Sequence, residues 1–476
     1  MEEYIRELLE QIRFEKAHKA IGDEIRSHIE DQIEANVSEG MDNETAEKRA
    51  VEDMGNPIEV GISLDRVHRP RFARGVVIAA ILVGVIGIII HVFISKDGLL
   101  KNLSYQYSAS ESRTFIIYTV LGIAAMLFMY LVDYTTVAKY SKSIAGVLIA
   151  FYLVSFIAGY YCESMPWVIR LNRNTPIILE GDTAFYSAGM VVNVFSFSLT
   201  LLLIPLYAGI LYKYRGQSYA GLVKALLWIF IPRILPLMYV MSGGYPYMNL
   251  LIKGWYYNVR AFILAISMLI QLSYAIKKDW IKVRKLPSLI SIWLFYVAYL
   301  AYFMYIGYKA TAPSNDNFRK VLDSLKLIGS GSVSLWGGES SIQTRAWVTF
   351  PESNFVLTYV SAAWGLLVGL VVVMIVVALI VFGFVAISKS KNQLGQAMGI
   401  GCMMWLAINA IANIVVGFGI IPAFYASFFP FISNGNIIIS YVFLGILVSV
   451  YKYKDAYAQH VDIRRRRKEK GLEEKI

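Results

Sequence analysis

Residues 355–387 read FVLTYVSAAWGLLVGLVVVMIVVALIVFGFVAI, with no charged side chain. The hydrocarbon core of a bilayer is about 30 Å thick, so a helix rising about 1.5 Å per residue crosses it in about 20 apolar residues. This stretch exceeds that minimum, which points to tilt or to interfacial ends. Outward from it, comparable stretches lie near 75–95, 114–133, 142–163, 186–212, 222–241, 259–277, 287–307, 396–421 and 435–452. Arg233 and Arg260 interrupt two of them. Of the 476 residues, 57% are hydrophobic and 17% charged. A water-soluble protein usually has about 45–50% apolar and about 25% charged residues. The expected fold is all-α: a polytopic membrane protein with about ten transmembrane helices, preceded by a small soluble domain of three to four helices.

That preceding segment differs in charge. Residues 1–74 hold 18 Asp/Glu against 11 Lys/Arg, although the whole chain carries a net +11. Ile5, Leu8, Leu9 and Ile12 share one face of a helix over 2–14, and Ile21, Ile25, Ile29, Ile33 and Val37 share a face over 20–38. Gly40 is placed to end the second helix. Asp42 or Asn43 can cap a third, with Ala46, Ala50, Val51 and Met54 on its apolar face. Gly55-Asn56-Pro57 stops it, and a fourth helix is expected over 57–67. The start lacks the apolar core of a secretory signal. Glu24, His28, Ile29, Asp31, Gly40, Ala46, Ala50, Met54, Gly55 and Pro57 together resemble a short helical prefix domain found before many Gram-positive membrane permeases. The resemblance implies a regulatory or docking module.

Positive charge orients the chain, since Lys and Arg concentrate in cytoplasmic loops. Arg69, Arg71 and Arg74 precede the first span. Lys139 and Lys142, Lys213 and Arg215, the run Lys277–Lys285, then Lys389 and Lys391 fall on the same side if ten spans alternate. Arg464–Lys468 in the tail returns to that side, where it serves as an anchor to anionic lipid. No aromatic or base-reading motif accompanies the basic residues, so nucleic acid is not an expected partner. The expected layout is a cytosolic helical prefix domain at 1–70, a transmembrane domain at 75–455 and a basic cytosolic tail at 456–476. One long polar loop, 308–353, lies outside. Val321, Leu322, Leu325 and Ile328 in it are spaced for a short interfacial helix. The five His are scattered, with no metal-ligand cluster, and two Cys exclude a disulfide scaffold.

At this loop and beyond, the chain resembles the SEDS family of FtsW, RodA and SpoVE proteins. Ser324-Leu325 and Ile328–Gly331 resemble the run QSL.AIGSGG. Phe350-Pro351-Glu352 with Gly365, Leu366 and Gly369 resembles LPE…..GLxG. Gly399, Ile400, Trp405, Asn409, Asn413, Gly417 and Pro422 follow one family spacing, and Phe429–Gly435 resembles LPFISYG. Arg113-Thr114 and Asp133-Tyr134 resemble pairs that open and close the second span. The resemblance implies a ten-span enzyme of the bacterial plasma membrane, with both termini cytosolic. It would polymerise a polyprenyl-pyrophosphate-linked disaccharide-peptide on the outer face, in division, elongation or sporulation. A class B penicillin-binding transpeptidase is the implied partner.

Glycosyl transfer needs a base for the acceptor hydroxyl, and cations or a metal for the departing pyrophosphate. A divalent cation such as Mg or Mn would suit. The family's aspartate position falls on Pro313, and the nearest carboxylate is Asp316. Asp316 is therefore the candidate base, with Asp323 behind it; both also read as solvated loop acids. Arg113 is the candidate pyrophosphate ligand, or a side chain snorkelling from a span edge. Arg233 lies deeper, between Pro232 and Pro236, and intramembrane arginines tend to face a cavity or a partner. Asn409, Asn413 and Ser433 are further candidates for substrate contact, with interhelical bonding and a turn as their structural readings. Two other functions stay open. One is a non-catalytic SEDS-like scaffold or regulator of envelope assembly, suggested by the displaced aspartate. The other is a transporter, suggested by the permease-like prefix.

Overall fold

The computed structural model describes residues 1–96, 109–164, 198–241, 250–311, 335–336, 355–420, 427–457 and 459–461. These are helical throughout, apart from turns and one isolated bridge between Gln217 and Ile281. Asp316, Asp323 and the predicted interfacial helix at 321–328 lie outside the described residues.

Four helices open the chain: α1 (Glu2–Glu10), α2 (Glu15–Ser38), α3 (Asn43–Asp53) and α4 (Pro57–His68). Ile5, Leu8, Ile12, Ile21, Ile25 and Ile29 turn inward and form their own apolar core. Between the two expected capping residues the structure selects Asp42, whose carboxylate accepts the Thr45 backbone N–H at 3.1 Å. Asn56 caps α4 in the same way, through the Ile58 N–H at 2.9 Å, and Pro57 takes the first helical position. α1 is shorter than the predicted 2–14, and α2 begins earlier than 20. The His18 ring lies 2.6 Å from the Ile12 carbonyl in the link between them. Ala17 is buried, which draws the first turn of α2 into the core.

Each of the ten predicted spans has a helix among the described residues. They are α5 (Arg74–Lys96), α6 (Ala109–Leu131), α8 (Ser141–Ser164), α9 (Leu203–Lys213), α10 (Tyr219–Met241), α11 (Leu250–Lys277), α12 (Lys285–Thr311), α14 (Leu366–Ser388), α15 (Gln393–Gly417) and α16 (Ile437–Lys452). A short helix, α7 (Tyr134–Lys139), links α6 to α8. Six helices are long and apolar enough to cross a membrane among the described residues, and four shorter apolar ones accompany them. The first part of the predicted span 186–212 lies outside the described residues.

The long stretch 355–387 is not one helix. It divides into α13 (Val356–Trp364) and α14 at Gly365, where φ is +100°. Side chains rarely tolerate that conformation, and glycine does. α13 is buried along Val356–Ala363. Thr358 donates from its hydroxyl to the Gly417 carbonyl at 3.1 Å, tying α13 to the end of α15. A break at membrane depth is tolerated where protein covers the backbone, as it does here.

α16 packs along α6 and also touches α5. Tyr441 donates to the Ala80 carbonyl at 3.2 Å, and Gly84 and Gly122 leave room for its ring. A Cβ on Gly445 would sit 2.7 Å from the Met126 carbonyl oxygen, so the two helices meet backbone to backbone. Small residues permit this approach between membrane helices. α11 and α15 are joined by side-chain bonds instead. Gln271 donates to the Ala397 carbonyl at 3.1 Å, Tyr274 to Gln396 at 2.6 Å, and Trp280 to Gln393 at 2.8 Å.

The N-terminal helices touch the rest through aromatic rings. Phe14 stacks on Tyr453 at 5.3 Å and meets Tyr457 edge-on at 5.7 Å. Tyr457 also donates to the Asp133 carboxylate, which caps α7. Arg71 closes the seam, its N–H bonded to the Lys452 carbonyl at 2.9 Å and its guanidinium 3.6 Å from Asp455.

Candidate functional site

The segment Ser427–Asn436 connects to α16 at one end of the bundle, and neighbouring helices hold it from several sides. On α15, Asn409 and Asn413 share a face four residues apart. The Asn409 amide donates to the Trp405 carbonyl at 2.7 Å and its oxygen accepts from the Ser427 hydroxyl. Asn413 donates to the Ser427 carbonyl. Ser433 bends the segment back, its hydroxyl accepting the Phe429 N–H at 3.0 Å. From α5, His91 meets the Ile432 carbonyl at 2.8 Å while its ring stacks on Phe115 at 3.8 Å. Ser112 on α6 donates to the His91 carbonyl at 2.8 Å.

These bonds hold an unusual backbone. Phe431 has φ +64° and Asn436 has φ +59°. Asparagine visits the left-handed region readily, but a bulky aromatic does not. Such a residue costs about 1–3 kcal/mol and persists only where its surroundings enforce it. The Phe431 ring is fully buried, edge-on to Tyr441 at 5.1 Å. Strain of this kind concentrates at ligand clamps and active sites.

The turn presents polar groups that the described residues do not use. The Asn434 side-chain oxygen and the Asn436 side-chain nitrogen have no hydrogen-bond partner. Arg260 of α11 lies beside them: a Cβ on Gly435 would be 3.6 Å from a guanidinium nitrogen. A cation and two amides thus border one turn, a set suited to phosphate oxygens and sugar hydroxyls.

Of the residues singled out from sequence, the structure brings Asn409, Asn413 and Ser433 together. All three are buried, and their bonds shape the turn from behind. Arg113 is exposed on α6, directly after the Ser112 that braces His91. The side chain of Arg233, on α10, lies outside the described residues, as does Asp316. Arg260, Asn434 and Asn436 were not among the candidates. The signal for Arg260 was its charge inside an apolar stretch, which sequence reading took only as an interruption. Among the described residues no group of three or more His, Cys, Asp or Glu is placed to hold a metal ion.

Comparison with known proteins bears on the same region. Residues 258–456 match the family model FtsW/RodA/SpoVE, described as "Cell cycle protein". A curated relative, "Putative peptidoglycan glycosyltransferase FtsW" of Mesostigma viride, is 25% identical over 130 residues, 27% of this chain. The chain spans only 31% of that relative's length. A solved chain from "Structural coordination of polymerization and crosslinking by a peptidoglycan synthase complex" aligns with TM-score 0.49 and 15% identity, covering 81% of this chain and 98% of its own length. Across residues 258–456, which carry most of α11, α12 to α16 and the strained turn, the chain is similar to the FtsW/RodA/SpoVE family of cell cycle proteins.

Proposed function

We propose that this protein is a SEDS-type membrane glycosyltransferase that polymerises a polyprenyl-pyrophosphate-linked disaccharide-peptide at the outer face of the bacterial plasma membrane. The observation that carries this reading is the enforced turn at 431–436, inside the family-matched region, with Asn434, Asn436 and Arg260 at its edge. Asp316, on the polar loop, takes the proton of the acceptor sugar hydroxyl. The hydroxyl oxygen bonds to the donor's anomeric carbon as the bond from that carbon to the pyrophosphate oxygen breaks. Arg113, Arg260 and Arg233 supply positive charge for the departing lipid pyrophosphate. Asn409, Asn413 and Ser433 position the turn.

In this reading both termini, the prefix domain at 1–70 and the basic tail at 456–476 are cytosolic, and the 308–353 loop is outside. The prefix serves as a regulatory or docking module. A class B penicillin-binding transpeptidase crosslinks the product. The displacement of the family's aspartate position, here Pro313, favours a second reading in which the protein is a non-catalytic scaffold of envelope assembly.

The test is polymerisation of fluorescent lipid-linked precursor by the purified full-length chain. General-base loss typically costs about 10²–10⁴-fold, so Asp316→Asn should lower the rate by that order with precursor still bound. Full activity in Asp316→Asn removes the base assignment. A wild-type protein that binds precursor and never extends glycan establishes the scaffold reading.

A further inference from the structure

At the opposite end of the bundle from the strained turn, α10, α11 and α12 enclose a cleft of about 460 Å³. Leu226 and Phe230 line one wall, Ser291 and Phe295 the other, and Leu269 of α11 forms the floor. Phe230 and Phe295 meet edge-on at 6.2 Å at the inner end. At the outer end the segments leading into α10 and α12 are tied together, by Gly216 N–H to the Trp280 carbonyl and Lys282 N–H to the Gln217 carbonyl, both 2.8 Å. From Tyr219 to Phe230 the wall is about 16 Å long at helical rise. That is about half of the hydrocarbon core, the depth of one leaflet.

The surroundings identify the occupant. Val223 and Leu227 on α10, and Leu286, Ile290 and Leu294 on α12, are all more than half exposed beside the cleft. These are lipid-facing side chains, so the cleft opens to bilayer rather than to water. Its mouth is basic. Arg284 stands immediately before α12, its carbonyl accepting the N–H of the cleft-lining Ser288 at 3.1 Å, and so at the end of the helix that lines the cleft. It is exposed and makes no ion pair among the described residues. Lys285 beside it is held by Asp279 at 2.7 Å. An apolar slot one leaflet deep under an uncommitted guanidinium complements an acyl chain below a phosphate.

We propose that this cleft binds one acyl chain of an anionic phospholipid, with the headgroup phosphate on Arg284. The site is independent of the proposed glycosyl transfer. Native mass spectrometry of the full-length protein, titrated with phosphatidylglycerol and with phosphatidylcholine, tests it. Retention of phosphatidylglycerol over phosphatidylcholine is expected. Arg284→Gln should weaken retention about five- to tenfold, the usual weight of one basic residue at an anionic surface. Ser291→Trp, which fills the slot, should weaken it at least as much. Lys391→Gln, at the same end of the bundle but on another connection, should leave it unchanged. Gel filtration of each variant confirms that it is folded, and Arg284→Gln stands alone if Ser291→Trp is not. The proposal fails if both phospholipids bind equally, or if Arg284→Gln retains wild-type binding. It fails also if Lys391→Gln loses as much as Arg284→Gln, or if polyprenyl phosphate displaces phosphatidylglycerol at lower concentration.

Discussion

α14 and α15 are joined by Lys389–Asn392 and cross the same membrane, yet they are built on opposite plans. The apolar stretch of α14 has a mean hydropathy of 3.4 and is 39% buried, whereas that of α15 has 1.8 and is 56% buried. Met374, Phe382 and Val381 on α14 face outward, so lipid itself selects its composition. α15 faces protein and can carry Gln393, Gln396, Asn409 and Asn413, because each amide meets a partner on a neighbouring element. The most apolar of the described helices thus faces lipid, and its more polar neighbour holds the candidate site together.

Substitutions separate the two plans by size of effect. The largest is expected where helix backbones touch without any polar group: Gly445→Leu must displace Met126 and should cost about 3 kcal/mol, as overpacking in tight interiors does. Loss of a monodisperse gel-filtration peak and a lowered melting temperature would register it. Next comes Asn413→Leu on α15, which strands the Ser427 carbonyl and should cost about 1–3 kcal/mol. On the proposed function, glycan polymerisation should fall with it, since the turn is no longer braced; a stable variant would break the distinction between the helices. Val377→Leu on the lipid face of α14 should stay within about 0.5 kcal/mol. A melting temperature matching the wild type checks it.

The smallest effect lies outside the membrane. Arg26 grips Glu2 through two bonds of 3.0 and 2.9 Å and holds its carboxyl below the ordinary 4.5. Because folding favours the ionised form, this contribution is complete above pH 4.5. It is lost as pH falls through the depressed value. Protection of the α1 amides, taken relative to their intrinsic exchange rate at each pH, should fall in that acid window, and Arg26→Ala should flatten the response.

Much of this fold was legible because lipid and water impose opposite demands. A helix bathed in hydrocarbon must be apolar on every side, so α5 and α14 stand out by composition alone. The cap at Asp42 was open to reading as one of two candidates, since it satisfies an N–H group three residues away, whereas Asn56 read as part of a stop and caps the next helix as well. The break at Gly365 was not legible. α13 is sheathed in protein and carries no charged side chain, so the apolar run passes through the turn without a polar interruption. The site was legible in part. Asn409, Asn413 and Ser433 stand at recognisable spacings, but what they grip, the Ser427 group and the Phe429 N–H, is set by tertiary contact. Arg260 and Gly435 are far apart in the chain, and only folding makes them neighbours.

The seam of Phe14 with Tyr453 and Tyr457 has a consequence for biosynthesis. The ribosome delivers the first ring hundreds of residues ahead of the other two, so the leading module must wait, undocked, while every intervening helix enters the bilayer. Its seat exists only once the closing helix is threaded. Protease protection near Phe14 would therefore time the insertion of α16, with the leading module reporting on a segment hundreds of residues away.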